Sequence, residues 1–208
     1  AAMAASGISF FTEAFQGMLI DVVRIPVPTK GYERASYEAL KETIKTKNVA
    51  GFIFEPLVQG AAGMVMYEPE ALDKLIAICQ ENKVLTIADE VMTGFGKTGK
   101  LFACDYLKNQ PDMMCLSKAL TGGTIPMAIT TFTQDIFNGF VSDNVNHALF
   151  HGHTFTANPT GCAAALASIF LLEKPETFEK INRINASHLE FEKYISKHTK
   201  VKSTRVLG

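Results

Sequence analysis

Short apolar runs of strand length alternate with stretches whose apolar residues recur at helical spacing, and this alternation is the chain's first structural signal. The runs "DVVRIPV" (21–27), "VAGFIFEP" (49–56), "KVLTIADEV" (83–91) and "DMMCLSKAL" (112–120) each predict a buried strand, and "PMAITTF" (126–132) predicts another soon after. Between the first three lie "SYEALKETIKTK" (36–47) and "EPEALDKLIAICQENK" (68–83). In the second of these, Leu72, Leu75, Ile76 and Cys79 fall on one helical face. Strands apolar on both faces and joined by helical crossovers predict an α/β fold, with a mostly parallel sheet covered on both sides to give three layers.

Further along, Asn158 and Pro159 precede "TGCAAALASIFLLEK", a capping residue and a first-turn proline ahead of a run of small residues that suits close packing. The segment "PETFEKINRINASHLEFEKYISKHTK" (175–200) predicts a long surface helix with Phe178, Ile181, Leu189 and Ile195 turned inward. Phe10, Phe11 and Phe15 read as core. "VKSTRVLG" predicts the start of one more strand, and the chain opens on "AAMAASG" without an initiator methionine, so we expect both ends to belong to something longer.

Composition narrows the function classes. With 208 residues, 47% of them hydrophobic and 20% charged, the chain can bury a full core. The net charge of −1 is made of scattered residues, so no basic footprint for nucleic acid is present. Cys79, Cys104, Cys115 and Cys162 share no metal-ligand spacing and sit in apolar contexts, which predicts reduced core thiols. No apolar run reaches the roughly 18 residues of a membrane span, and the N-terminus lacks a basic signal-peptide start. We therefore expect no membrane association and a cytoplasmic location.

In open α/β sheets ligands gather at the carboxyl ends of the strands. Glu55 ends "GFIFE", Asp89 and Glu90 end "VLTIADE", and Lys118 follows "MMCLS". A carboxylate and an amine at neighbouring strand ends make either an ion pair or a ligand site. Gly122 and Gly123 after the lysine, and Gly94, Gly96 and Gly99 after the carboxylates, leave room for a ligand or a second backbone. An amine reached by a ligand can form a Schiff base with an aldehyde, and pyridoxal phosphate is a common protein-bound aldehyde that needs one. Its ring nitrogen needs a carboxylate to stay protonated, and Asp89, one βαβ step before Lys118, suits that role. Glu90 points to the opposite face and suits a structural pairing.

The segments "ADEVMTGFGKTGKLFACDYLKNQPDMMCLSKALTGG", "HGHTFTANPTGCAAALAS" and "FEPLVQGAAGMVMYEPEAL" resemble the class III pyridoxal-phosphate aminotransferases, and within them the biotin-synthesis branch. The resemblance implies the large domain of a fold-type I transferase over residues 1–208, with 175–208 leading toward a small domain. It places the Schiff base on Lys118, the ring-nitrogen carboxylate on Asp89 and the apolar ring cover on Val91; Glu55, read from its own strand end, is expected to stand behind them. It also implies that the "HGHTF" loop (151–155) serves the cofactor phosphate across a homodimer interface through Thr154, while Gly152 leaves room for substrate; His153, in the same cofactor loop, replaces a proline of some relatives, which leaves open whether its backbone nitrogen or its ring contributes. Many relatives carry a glutamine two residues after the carboxylate pair; Met92 stands here, a departure from the ornithine and aminobutyrate branches. The implied reaction is amino transfer from S-adenosylmethionine to the ketone of 8-amino-7-oxononanoate, with a small-molecule donor and acceptor as the partners. The family's phosphate-binding turn and ring-stacking aromatic fall before this stretch and its substrate arginine after it, so turnover by these residues alone is expected to be weak or absent.

Two motifs compete with this reading. "GFGKTG" (94–99) matches GxGxxG, and extension to Lys100 gives GxxxxGK, but Leu101 stands where a P-loop needs Ser or Thr. His147, His151 and His153 approach metal-ligand spacing, yet Gly152 interrupts any helix and no carboxylate or cysteine completes the set. No metal site is expected.

Overall fold

The computed structural model describes residues 2–6 and 13–208. Helix α1 (Glu33–Thr46) leads to strand β1 (Gly51–Phe54) and a small antiparallel hairpin, β2 (Val58–Gln59) with β3 (Val65–Met66). Helix α2 (Pro69–Glu81) crosses over to β4 (Leu85–Asp89), and a long loop returns to β5 (Met113–Leu116). Strand β6 (Ile129–Phe132), the short helix α3 (Gln134–Asn138), α4 (Pro159–Leu172) and α5 (Pro175–Ile195) complete the chain.

The main sheet has the order β1-β4-β5-β6. β1, β4 and β5 run parallel, as crossover connections require, and β6 turns back antiparallel to β5. The α/β class and the mostly parallel order therefore hold. Coverage is one-sided among the described residues. Phe52, Phe54, Thr86 and Ala88 face the core beneath α2, where Leu72, Leu75, Ile76 and Cys79 are each no more than 1% exposed. On the opposite face Ile53 and Leu85 are each 42% exposed, and Phe132 is 40% exposed. The strands are apolar on both faces, as read from the sequence, but only one face is packed by helices of this stretch.

Several predicted features differ. Residues 21–27 form no ladder, because Pro26 and Pro28 interrupt the N–H donors a strand would need. Ile25 and Val27 nevertheless pack against the core, and the Ser36 hydroxyl donates to the Pro26 carbonyl at 2.7 Å. Residues 201–208 likewise form no strand, although Leu207 packs against the core. Phe15 is exposed rather than buried, and Phe10 and Phe11 lie outside the described residues. In α5, Phe178, Ile181 and Ile195 are half-buried, but Leu189 is exposed. Cys79 and Cys104 are buried as predicted, while Cys115 and Cys162 are only half-buried; all four are free thiols. No helix among the described residues is long and apolar enough to cross a membrane.

Candidate active site

Strand β4 delivers Asp89 to the carboxyl edge of the sheet, and the chain turns there because the Val91 N–H donates to Asp89 Oδ1 at 3.0 Å. Alternation along the strand sends the next residue to the helix side. Glu90 is fully buried; its Oε2 accepts from the Thr93 hydroxyl and its Oε1 from the Cys104 N–H at 2.7 Å. Glu90 thus lies on the face opposite Asp89, as the alternation predicts, and hydrogen bonds rather than a cation satisfy it. A buried carboxylate with several donors is tolerable where an unpaired one would not be.

Asp89 pairs in register with Cys115 on β5. Lys118 follows three residues later in sequence, just past the end of β5 at Leu116. It opens a 3₁₀ turn, Lys118–Thr121, in the left-handed region with φ +48°. For a residue with a Cβ this costs on the order of 1–2 kcal/mol, so neighbouring contacts must hold it. Ser117 donates through its hydroxyl to the Met127 carbonyl at 2.7 Å, Thr121 to the Ile125 carbonyl at 2.6 Å, and Ser168 of α4 to the Ala119 carbonyl at 3.1 Å. The turn closes on Gly122, itself left-handed at φ +61°. Lys118 is exposed, and the ion-pair alternative is not seen: among the described residues the recorded ion pair is Lys41 with Glu38.

Glu55 follows β1 one residue past Phe54, whose register partner is Ala88, so it stands beside Asp89 at the same edge. Its Oε2 accepts from the Gly60 N–H at 2.9 Å, its carbonyl accepts from the Tyr67 hydroxyl, and the carboxylate thus shapes the 55–60 loop. A Cβ at Gly60 would meet Met92 Sδ at 2.4 Å, so the residue in the expected glutamine position packs on this loop. Val91 is half-buried immediately beyond Asp89.

The structure therefore gathers Glu55, Asp89, Val91 and Lys118 at one sheet edge. It does not bring Gly152, His153 or Thr154 to them. That loop is exposed and bonds to itself: the His153 N–H donates to the Thr156 hydroxyl, and the Phe155 N–H donates to His153 Nδ1 at 3.1 Å. No group of three or more His, Cys, Asp or Glu side chains suited to a metal is found among the described residues.

Sequence reasoning missed two features here. Asp112, which opens the run read as a strand at 112–120, clasps the starts of β4 and β5: its Oδ2 accepts from both the N–H and the hydroxyl of Thr86, each at 2.7 Å. The Cys115 thiol lies near enough to Asp89 that burial first, and the carboxylate second, raise its pKa against a lowering hydrogen bond with Thr130. Neither is visible in local pattern, since each depends on which strands become neighbours.

Comparison with known proteins places this arrangement. The family model for aminotransferase class-III matches residues 1–208. The adenosylmethionine-8-amino-7-oxononanoate aminotransferase of Synechococcus elongatus is 42% identical over 215 residues, covering 100% of this chain and 50% of the relative. That of Staphylococcus aureus is 34% identical, covering 100% of this chain and 48% of the relative. The crystal structure of the enzyme of that name from Methanocaldococcus jannaschii superposes with a TM-score of 0.90 at 32% identity, covering 100% of this chain and 48% of that one. An ornithine aminotransferase from Plasmodium yoelii has a TM-score of 0.72 at 32% identity, covering 83% of this chain and 44% of that one. The chain spans about half the length of the curated relatives it matches. With the family model matched from end to end, the chain belongs to the class-III aminotransferases.

Proposed function

We propose that this chain is the cofactor-binding part of an enzyme that transfers an amino group from S-adenosylmethionine to 8-amino-7-oxononanoate, yielding 7,8-diaminononanoate in biotin synthesis. The observation that carries the reading is the exposed, left-handed Lys118 at the sheet edge where Asp89 also ends its strand. Support for the substrates comes from the adenosylmethionine-8-amino-7-oxononanoate aminotransferases at 34–42% identity over the whole chain.

The residues present fit pyridoxal phosphate. They offer a primary amine that makes no ion pair among the described residues, a carboxylate on the adjoining strand, and open space beside Gly123. When bound, that group supplies a reactive aldehyde and a ring that accepts electrons from the carbon being deprotonated. Lys118 would hold it covalently through Nζ; once displaced by the amino donor, the same Nζ would carry the proton from the donor's α carbon. Asp89 would accept a hydrogen bond from the ring nitrogen and keep a proton there, because the opposite charge stabilises the cation. Val91 would cover the ring, and Glu55 would hold the 55–60 loop behind Asp89. Gly152, His153 and Thr154 act in a homodimer. Their loop is exposed here and, among the described residues, bonds to itself, so in this reading Thr154 of one copy would meet the phosphate held by the other. The setting we propose is cytoplasmic.

The donor test is spectroscopic. Full-length protein carrying pyridoxal phosphate is mixed separately with S-adenosylmethionine and with ornithine, and the visible cofactor band is followed. Loss of the band with S-adenosylmethionine alone is the expected result; loss with ornithine alone would reassign the substrate to that branch.

A further inference from the structure

A serine inside a helix commonly returns its hydroxyl to the carbonyl four residues earlier. Thr43, Thr46 and Ser187 do so in this chain. Ser168, midway along α4, does not. Its hydroxyl reaches across to the Ala119 carbonyl at 3.1 Å, a residue 49 positions away in sequence and the one immediately after Lys118. The same carbonyl accepts the Gly122 N–H at 2.9 Å, which closes the 3₁₀ turn. Ser168 also packs beneath Gly122, where an added Cβ would lie 3.7 Å from Ser168 Oγ. At the other end of α4 a Cβ on Gly161 would meet Met127 Sδ at 3.1 Å, and the Met127 carbonyl is the one that accepts the Ser117 hydroxyl. The helix therefore grips the lysine turn on both flanks, and Ser168 supplies the polar half of that grip.

We propose that Ser168 is a positioning residue that holds Lys118 in its left-handed conformation at the sheet edge. This rests on the reading of Lys118 as the cofactor's anchor. Removing the hydroxyl leaves the Ala119 carbonyl with one donor, and the turn is free to relax to the right-handed form that a lysine prefers.

The test compares wild type with Ser168→Ala, with Ser187→Ala as the control and the isosteric pair Ser168→Thr and Ser168→Val repeating the comparison at constant volume. Each protein is treated with pyridoxal phosphate and borohydride, and labelling of Lys118 is measured by peptide mass spectrometry as a ratio to all other lysines. Separately, the Cα and Cβ carbon shifts of Lys118 are read by NMR without any cofactor. The expected result is a roughly fivefold fall in the Lys118 ratio for the Ala and Val variants, the factor set by one ordinary hydrogen bond. Their Lys118 shifts should move toward the right-handed range, while the Thr and Ser187→Ala proteins match wild type. Equal ratios and unmoved shifts in wild type and Ser168→Ala would overturn the proposal. If wild-type Lys118 takes no label yet its shifts respond to Ser168→Ala, the cofactor reading fails and the positioning role stands; if neither responds, both fail.

Discussion

Alternation along β4 turns Asp89 to the open face of the sheet and Glu90 into the core, so two consecutive carboxylates meet different surroundings. The thiols beneath that sheet meet a third. The thiols give a residue-level prediction. Burial, and then the Asp112 carboxylate, push the Cys79 thiol from its ordinary 9.0 up to about 12. As pH rises above 9 the unfolded chain releases this proton first, so the contribution of Cys79 to stability is complete below pH 9 and is lost progressively toward pH 12. For one proton the slope reaches at most about 1.4 kcal/mol per pH unit. Cys104 and Tyr67, both raised chiefly by burial, act in the same direction. Urea melts at pH 8 and 10.5 should therefore show a drop in wild type that is smaller in Cys79→Ala; an identical drop in both would remove Cys79 as a source. The places of Asp89, Glu90 and Lys118 at or just past strand ends were readable from the apolar runs and their alternation. Those of Asp112 and Ser168 were not, because their partners lie 26 and 49 residues away and become neighbours only once the strands pair and α4 docks.

The helices were the most readable elements. In α2 the apolar positions recur at helical spacing, and every predicted inward residue is buried. The start of α4 was readable for a local reason: Asn158 Oδ1 accepts from the Gly161 N–H at 2.7 Å, and Pro159 occupies the first turn, where a missing N–H does no harm. Asn158→Ala should lower stability by about 1 kcal/mol, measured by urea unfolding, and Asn158→Asp should retain most of it. No loss in the Ala variant would mean that tertiary packing alone fixes this helix start. The strands were harder. Residues 21–27 carry the right apolar pattern, yet two prolines leave them extended without a ladder. β6 was read as a strand, but its antiparallel return could be known only from its pairing with β5.

At the scale of the whole molecule, the sheet's second face and the 137–155 segment expose many large apolar residues, Phe137, Phe140, Leu149, Phe150 and Phe155 among them. Exposed apolar surface on that scale is usual where more polypeptide docks, which agrees with the proposed homodimer and with relatives about twice as long. One edge of that molecule concentrates the proposed chemistry. The most direct measurement is peptide mapping of the protein after treatment with pyridoxal phosphate and borohydride, alongside Lys118→Ala and Asp89→Asn. The account predicts a single dominant reduced adduct on Lys118, its absence in Lys118→Ala, and an adduct that persists in Asp89→Asn with an altered absorbance spectrum. Label spread evenly over the surface lysines, unchanged by Lys118→Ala, would contradict it.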